Sequence, residues 1–328
     1  MLGRQRDSMS EPPPTVSFVV IAHNEAAGIG DALRSIAAQP VDAETIVVDD
    51  GSTDGTSEAA VRSARAEPRL DLRVVRLPSN LGRGAARRAG VDAARGRFIA
   101  TVDADIVLPA DWWARCLDEL TRTGADAVAG TAVPDGDLVY LRSMLGLTPR
   151  PRPHTTAVTG SNAVFRREAL AASSFDPALR EGEDVALGQS LRASGASLRT
   201  VPDLYVDHRD RRQLGQAMRW GYDSGRGATR QLVRYGELRR PDLATAGWLL
   251  TVALGAAQAR SQPRRASASI AIFTLLCAAG HVTPAFAWRC ARGRWLAAVG
   301  LDAFVLTSYF AGRVTGLPAA LRPVDRSP

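Results

Sequence analysis

The sequence predicts an α/β chain, with a mostly parallel, Rossmann-like sheet flanked by helices and then an all-α, apolar C-terminal region. Two observations predict the sheet. Short β-branched runs alternate with amphipathic stretches between residues 15 and 102, and each run stops at polar or acidic residues, as strands do where a parallel sheet opens onto a crevice. A third predicts the helical end, because beyond residue 242 the pattern changes to long apolar segments separated by arginines.

Val16 to Ala22, VSFVVIA, reads as a strand buried on both faces. Ile29, Leu33 and Ile36 recur at helical spacing, so a helix is expected over Ala26 to Ala38, followed by a strand over Thr45 to Val48 that completes one βαβ unit. The alternation continues with a helix near Ser57 to Ala66, a strand at Leu72 to Leu77, a helix near Gly84 to Ala94 and a strand at Arg97 to Val102. Right-handed crossovers then bring Ala22, Asp49, Leu77 and Asp103 to one edge.

Further along, a helix from Ala110 to Thr123 carries Trp112 and Trp113, and Asp126 to Val133 reads as a strand. Pro149, Pro151 and Pro153 make Pro134 to His154 a loop. In Ala157 to Arg166 a strand pattern is interrupted by Gly160-Ser161-Asn162, which suggests a bulge or the close approach of a ligand; the alternative is that Ser161 and Asn162 bond only to local backbone. Glu181, Glu183 and Asp184 open a helix that runs through Leu187 and Leu191, where acidic residues complement the helix dipole.

Composition narrows the function. The net charge of +7 is carried by arginine alone, since the chain has no lysine, and pI is then weak ground for a nucleic-acid partner. Arginines crowd between Arg209 and Arg240 beside apolar segments, which favours an anionic membrane surface or lipid phosphate. Cys116, Cys277 and Cys290 are too scattered for a disulfide framework or a zinc site. Pro12, Pro13 and Pro14 precede the first apolar run, which reads as a strand and not as a signal peptide. A reducing, cytoplasmic setting is expected for the amino-terminal part. Without lysine there is no P-loop, and no G-x-G-x-x-G follows the first strand, so NTPase and dinucleotide readings lose their phosphate cradles.

Two acidic motifs stand at strand ends. In TIVVDDGSTDGT, Asp49 and Asp50 directly follow a buried strand, an expensive place for charge unless water, a helix terminus or a ligand meets it. Ser52, Thr53 and Asp54 are equally suited to capping the next helix, as are Asn24 and Glu25 for theirs. Asp103-Ala104-Asp105 follows FIATV; paired carboxylates there suit Mg²⁺ or Mn²⁺, the alternative being a solvated loop.

The segments VVIAHNE, TIVVDDGSTDGT, NLGRGAARRAG and FIATVDAD, in that order, resemble the nucleotide-binding half of family 2 glycosyltransferases of the GT-A fold, over about residues 15–110. The resemblance implies a nucleotide-diphospho-sugar donor and a divalent metal. It places Ala22, Asn24 and Glu25 along the nucleoside, Asp49 or Asp50 on the base, and Arg83 or Arg87 near the base or phosphates. Asp103 would touch the ribose or metal, and Asp105 would be the main metal ligand. Gly160, Ser161 and Asn162 would lie against the donor sugar. The Glu183-Asp184 pair would supply the catalytic base, with Asp184 as that base, and His208 would complete the metal shell or else simply be solvated. Gln216-Ala217-Met218-Arg219-Trp220 matches the Q-x-x-R-W of processive members, in which Trp220 would stack on the acceptor sugar and Arg219 meet the diphosphate. Its alternative is a basic amphipathic helix on a membrane surface.

Inverting transfer needs an acceptor hydroxyl deprotonated as it attacks, while a metal stabilises the departing diphosphate. Of the apolar segments Leu243 to Ala259, Ala266 to Trp288 and Trp295 to Gly312, only the second comfortably passes the ~20 residues that span a bilayer. Asp302 is costly facing lipid, and arginines in every connection leave the topology open. The expected organisation is a tail over 1–14, a catalytic domain over 15–208 (nucleotide half to about 110, acceptor half 111–208), a basic interfacial helical segment over 209–242, apolar helices over 243–321 and a tail over 322–328. The expected protein is a cell-membrane glycosyltransferase with its catalytic domain facing the cytoplasm. It would act on a lipid-linked or envelope glycan acceptor. The alternatives are a polyprenyl-phosphate glycosyl synthase and a non-catalytic nucleotide-sugar-binding scaffold.

Overall fold

The computed structural model describes residues 13–134, 160–209, 214–236, 240–258 and 307–316. The expected βαβ alternation forms in order. β1 (Val16–Ala22), β2 (Ala43–Asp49), β3 (Asp71–Arg76) and β4 (Phe98–Asp103) are linked by α1 (Ile29–Ala37), α2 (Thr56–Ala66) and α3 (Arg83–Ala93). All four strands are parallel, with Ala22 opposite Asp49, Ile21 opposite Asp103 and Asp49 opposite Arg76. The acidic strand ends therefore share one edge.

β1 is buried along its whole length, as a central parallel strand covered on both faces must be. One face packs Phe18, Ile29, Leu33 and Trp112 together; the other packs Val19, Ile46, Ile99 and Phe165. Each such side chain contributes about 1.5–3 kcal/mol on burial.

The remaining elements are β5 (Ile106–Val107), α4 (Trp112–Thr123), β6 (Ala127–Pro134), β7 (Asn162–Arg166), α5 (Arg167–Ala172), α6 (Glu183–Ala193) and β8 (Leu198–His208). They complete an eight-stranded sheet of order β3-β2-β1-β4-β7-β6-β8-β5. The sheet is mostly parallel, as expected, with antiparallel pairings confined to two strands. β6 and β8 are parallel, but β7 runs antiparallel between β4 and β6, and β5 pairs antiparallel with β8. The sheet is mixed because β7 returns the chain across it, and that reversal starts β7 at the acidic edge, with Asn162 opposite Val102.

α7 (Leu214–Tyr235) and α8 (Arg240–Gln258) follow, with one further described helix, α9, over residues 307–316. α9 packs on both: Thr229 Oγ1 donates to the Arg313 carbonyl at 2.7 Å, and the Trp248 and Phe310 rings lie 5.3 Å apart. Among the described residues no helix is long and apolar enough to cross a membrane, so α8, which holds the first apolar segment, gives no support to a spanning reading. The Pro134 to His154 loop falls almost wholly outside the described residues, as does the whole of Ala266 to Trp288.

Candidate active site

The two loops that leave β1 and β2 are sewn together by the polar residues between them. Asn24 and Glu25 donate backbone N–H to Ser52 Oγ and Thr56 Oγ1, Ala26 donates to Asp54 Oδ2, and Thr53 N–H donates to Asn24 Oδ1. Ser52 and Asp54 thus serve the neighbouring loop as well as their own turn. Burial by itself would raise the Asp54 carboxyl, but hydrogen bonds from Thr56 and Ala26 outweigh it and hold it below the ordinary aspartate range. Gly51 has φ +67°, and a Cβ there would lie 2.4 Å from the Ser79 carbonyl carbon, so only glycine fits this turn.

The two aspartates of this motif diverge. Asp49 is wholly buried and lies outside the cleft lining; it accepts from Ser52 N–H at 2.8 Å, from Ser57 Oγ and from Arg76 Nη1 at 3.1 Å. Burial pushes its carboxyl up, and these bonds more than reverse that, leaving it below the usual range. Asp50 lines the cleft while accepting from Leu81 and Gly82 N–H at 2.7 and 2.9 Å. Arg83 and Gly84 N–H donate to the Arg180 and Leu179 carbonyls, so protein acceptors already meet the start of α3.

A cleft of about 110 Å³ lies over this edge, lined by residues that include Ala22, Glu25, Asp50, Arg83, Asp103 and Asp105. His23 and Ala86 also line it, positions to which the sequence alone assigns no role. Arg83 is 39% exposed and 3.7 Å from Glu181, whose charge raises the guanidinium's hold on its proton.

His208 reaches the same edge because β5 and β8 pair Ile106 with His208. Its buried ring places Nε2 2.7 Å from Asp105 Oδ2. Arg209 N–H donates to the Asp105 carbonyl at 2.8 Å. The structure therefore brings Asp105 and His208 together, far apart as they are in sequence.

Arg87 does not line the cleft. It is buried, donating Nε to Glu183 Oε1 at 3.0 Å and Nη2 to Asp103 Oδ1 at 2.8 Å. Arg83 and Arg87 stand four apart on one helix face, so their spacing alone does not tell which of them lines the cleft. Burial pushes the Glu183 carboxyl up to about 8, against the lowering pull of Arg87. Asp184, half-buried in the first turn of α6, accepts from Gly160 N–H at 3.2 Å.

Asn162 is buried in β7 and accepts from Trp112 Nε1 at 2.6 Å, so its side-chain oxygen belongs to the core. Ser161 beside it is half-buried. Asn24 sits in the left-handed region at φ 57° and is absent from the cleft lining. Arg219 is exposed and Trp220 half-buried near the start of α7; neither lines the cleft.

The profile of Glycosyl transferase family 2 matches residues 17–173. The succinoglycan biosynthesis protein ExoO of Rhizobium meliloti is 36% identical over 215 residues, covering 60% of this chain and 61% of that protein. A dodecaprenyl-phosphate galacturonate synthase of Rhizobium johnstonii is 38% identical over 133 residues, 39% of each chain. Both matches thus span less than two thirds of these curated relatives. Among solved structures, a mannosyltransferase of Pyrobaculum calidifontis, in complex with GDP-Man and Mn²⁺, superposes with a TM-score of 0.60 at 24% identity, over 93% of this chain and 88% of that one. That likeness shows the fold to be of the GT-A kind. Profile and relatives agree with the four motifs along β1 to β4, and residues 17–173 match the family 2 glycosyltransferases.

Proposed function

We propose that this chain moves a sugar from a nucleotide-diphospho-sugar to a hydroxyl of a lipid-linked or envelope glycan, with inversion at the anomeric carbon. The observation that carries the reading is the joining of two carboxylate groups on one edge: Arg87 ties Asp103 to Glu183, and Gly160 ties that cluster to Asp184. In this reading Ala22, Glu25 and Asp50 line the nucleoside, and Arg83 offers its fixed positive charge to the phosphates. Asp184 takes the proton of the acceptor hydroxyl as it attacks.

A divalent cation fits the donor set that Asp105 and His208 present. Their carboxylate oxygen and ring nitrogen are adjacent at 2.7 Å, and no cluster of three such ligands stands ready among the described residues. The donor's phosphates would complete the shell, as Mg²⁺ and Mn²⁺ sites commonly require. When bound, such an ion supplies Lewis-acid stabilisation to the leaving diphosphate. The Mn²⁺ held by the mannosyltransferase of the same fold lends support.

Screening UDP-, GDP- and dTDP-sugars with Mn²⁺ or Mg²⁺ tests the proposal. The expected result is metal-dependent release of nucleoside diphosphate from one donor; tight donor binding with no turnover would favour a binding scaffold instead. Similarity to the dodecaprenyl-phosphate galacturonate synthase supports a second reading, in which the acceptor is a polyprenyl phosphate. Such an acceptor is already ionised and needs no base. Loss of transfer in Asp184→Asn with retained donor binding favours the hydroxyl, and retained transfer the phosphate. The exposed side chains of Leu249, Leu250 and Leu254 on α8 support a membrane-surface location. Recovery of Leu250→Arg in the soluble fraction, with the unaltered chain in the membrane fraction, is the expected outcome there.

A further inference from the structure

Arg87 engages all three nitrogens of its guanidinium inside the protein. Nε donates to Glu183 Oε1 at 3.0 Å, while Nη1 and Nη2 donate to the same Asp103 oxygen, Oδ1, at 3.2 and 2.8 Å. Its carbon lies 5.8 Å from the centre of the Phe175 ring. Gly160 also lies against the guanidinium: a Cβ at that position would stand 2.6 Å from Nε and 2.7 Å from Cζ and Nη2. The close approach that the sequence suggested at Gly160 is therefore made by the protein's own arginine. Gly160 N–H in turn donates to Asp184 Oδ2.

We propose that Arg87 is a positioning residue that fixes the Asp103–Asp105 turn relative to the Glu183–Asp184 helix start, with Gly160 as the spacer that passes its position on to Asp184. Arg87 does this without touching the donor. A planar fork holds carboxylates on two elements in one fixed geometry, which the compact ammonium of lysine cannot reproduce. Gly160 is required because any side chain there would drive the guanidinium off one of its partners, and the guanidinium, enclosed and doubly bonded, has nowhere to go. The inference rests on the glycosyl-transfer reading for its catalytic consequence, and on the contacts alone for its structural one.

Hydrogen exchange on the ligand-free full chain tests the structural part. Arg87→Lys should speed exchange in both 103–108 and 181–187 while leaving 45–56 unchanged; unchanged exchange in either of the first two segments would overturn the proposal. Kinetics test the catalytic part. Arg87→Lys should lower kcat roughly 10- to 100-fold, the scale of a slight misplacement of reacting groups, with the donor KM kept within about threefold. Gly160→Ala should reproduce the same pattern. A raised donor KM with kcat preserved would make Arg87 a donor contact and overturn the inference. Should the unaltered chain turn over no donor, the glycosyl-transfer reading falls, and the exchange result still decides whether Arg87 positions these segments.

Discussion

Asp49-Asp50 at the end of β2 and Asp103–Asp105 at the end of β4 occupy one edge of one sheet, yet they meet different partners. The β2 pair is held largely by backbone and hydroxyl donors: Ser52 N–H and Ser57 Oγ on Asp49, Leu81 and Gly82 N–H on Asp50. The β4 pair is held by ionisable side chains, Arg87 on Asp103 and His208 on Asp105. Backbone donors cannot leave without unmaking a loop, so the first pair shapes the rim of the cleft. An imidazole can turn from a carboxylate to a cation, so Asp105 is suited to exchange partners when a ligand arrives, while Asp103 stays clamped by Arg87.

The sharpest way to break this comparison is to neutralise one carboxylate at a time. Asp105→Asn should reduce metal-dependent donor turnover by more than about 100-fold, on the scale of losing a principal electrostatic stabiliser, with a melting temperature close to that of the unaltered chain. Asp49→Asn should do the reverse, lowering stability by about 2–3 kcal/mol through its charged hydrogen bonds while turnover per folded molecule stays near normal. Denaturant titration and donor hydrolysis on both variants check the pair. Equal losses of stability would erase the distinction between rim and reactive cluster.

Much of this division was legible in the sequence and part of it was not. The parallel strands β1, β2 and β4 were readable because buried strands are continuous β-branched runs, and β3, a partly exposed edge strand, was readable from its place in the strand–helix alternation. Hydrophobic pattern carries no partner information, however, so the same pattern could not tell Asp49 from Asp50: they are adjacent, and only the alternation of side chains along β2 sends one into the α2 side and leaves the other at the cleft. Asp105 and His208 were each singled out, but their contact depends on β5 pairing with β8, a two-residue strand whose register no local signal fixes. The sequence left Arg83 and Arg87 as alternatives near the donor, because the burial of Arg87 between Asp103 and Glu183 depends on α6, which joins the fold long after α3 in the chain. The Asn162 hydrogen bond was illegible for a similar reason, its partner Trp112 lying on another element.

Titration should separate the regions in opposite directions. Asp49 has a folded-state carboxyl below its ordinary value, so the stability it contributes is present above the unfolded aspartate range and is lost as pH falls through the folded one. Glu183 is raised to about 8, so its contribution is present below the unfolded glutamate value of 4.5 and is lost as pH rises towards and through 8. Thermal melts across pH should therefore show an acid limb flattened by Asp49→Asn and an alkaline limb flattened by Glu183→Gln. An alkaline limb unchanged in Glu183→Gln would mean that Arg87 keeps Glu183 ionised throughout.

The smallest expected effect belongs to Arg76, which donates Nη1 to Asp49 at 3.1 Å and Nη2 to the Ser52 carbonyl at 2.7 Å. Its side chain is 51% exposed, so solvent screens its charge and the pair is worth far less than the buried Arg87 bridges. Arg76→Ala should cost only about 0.5–1 kcal/mol, and added salt should narrow the gap between the variant and the unaltered chain. The same salt series on Arg87→Lys should leave its deficit unchanged, because a guanidinium enclosed by Phe175, Gly160 and two carboxylates is beyond the reach of mobile ions. A salt-sensitive deficit at Arg87 would place its bridges in contact with solvent, and with that the contrast between an exposed strut at the rim and a buried clamp behind the cleft would disappear.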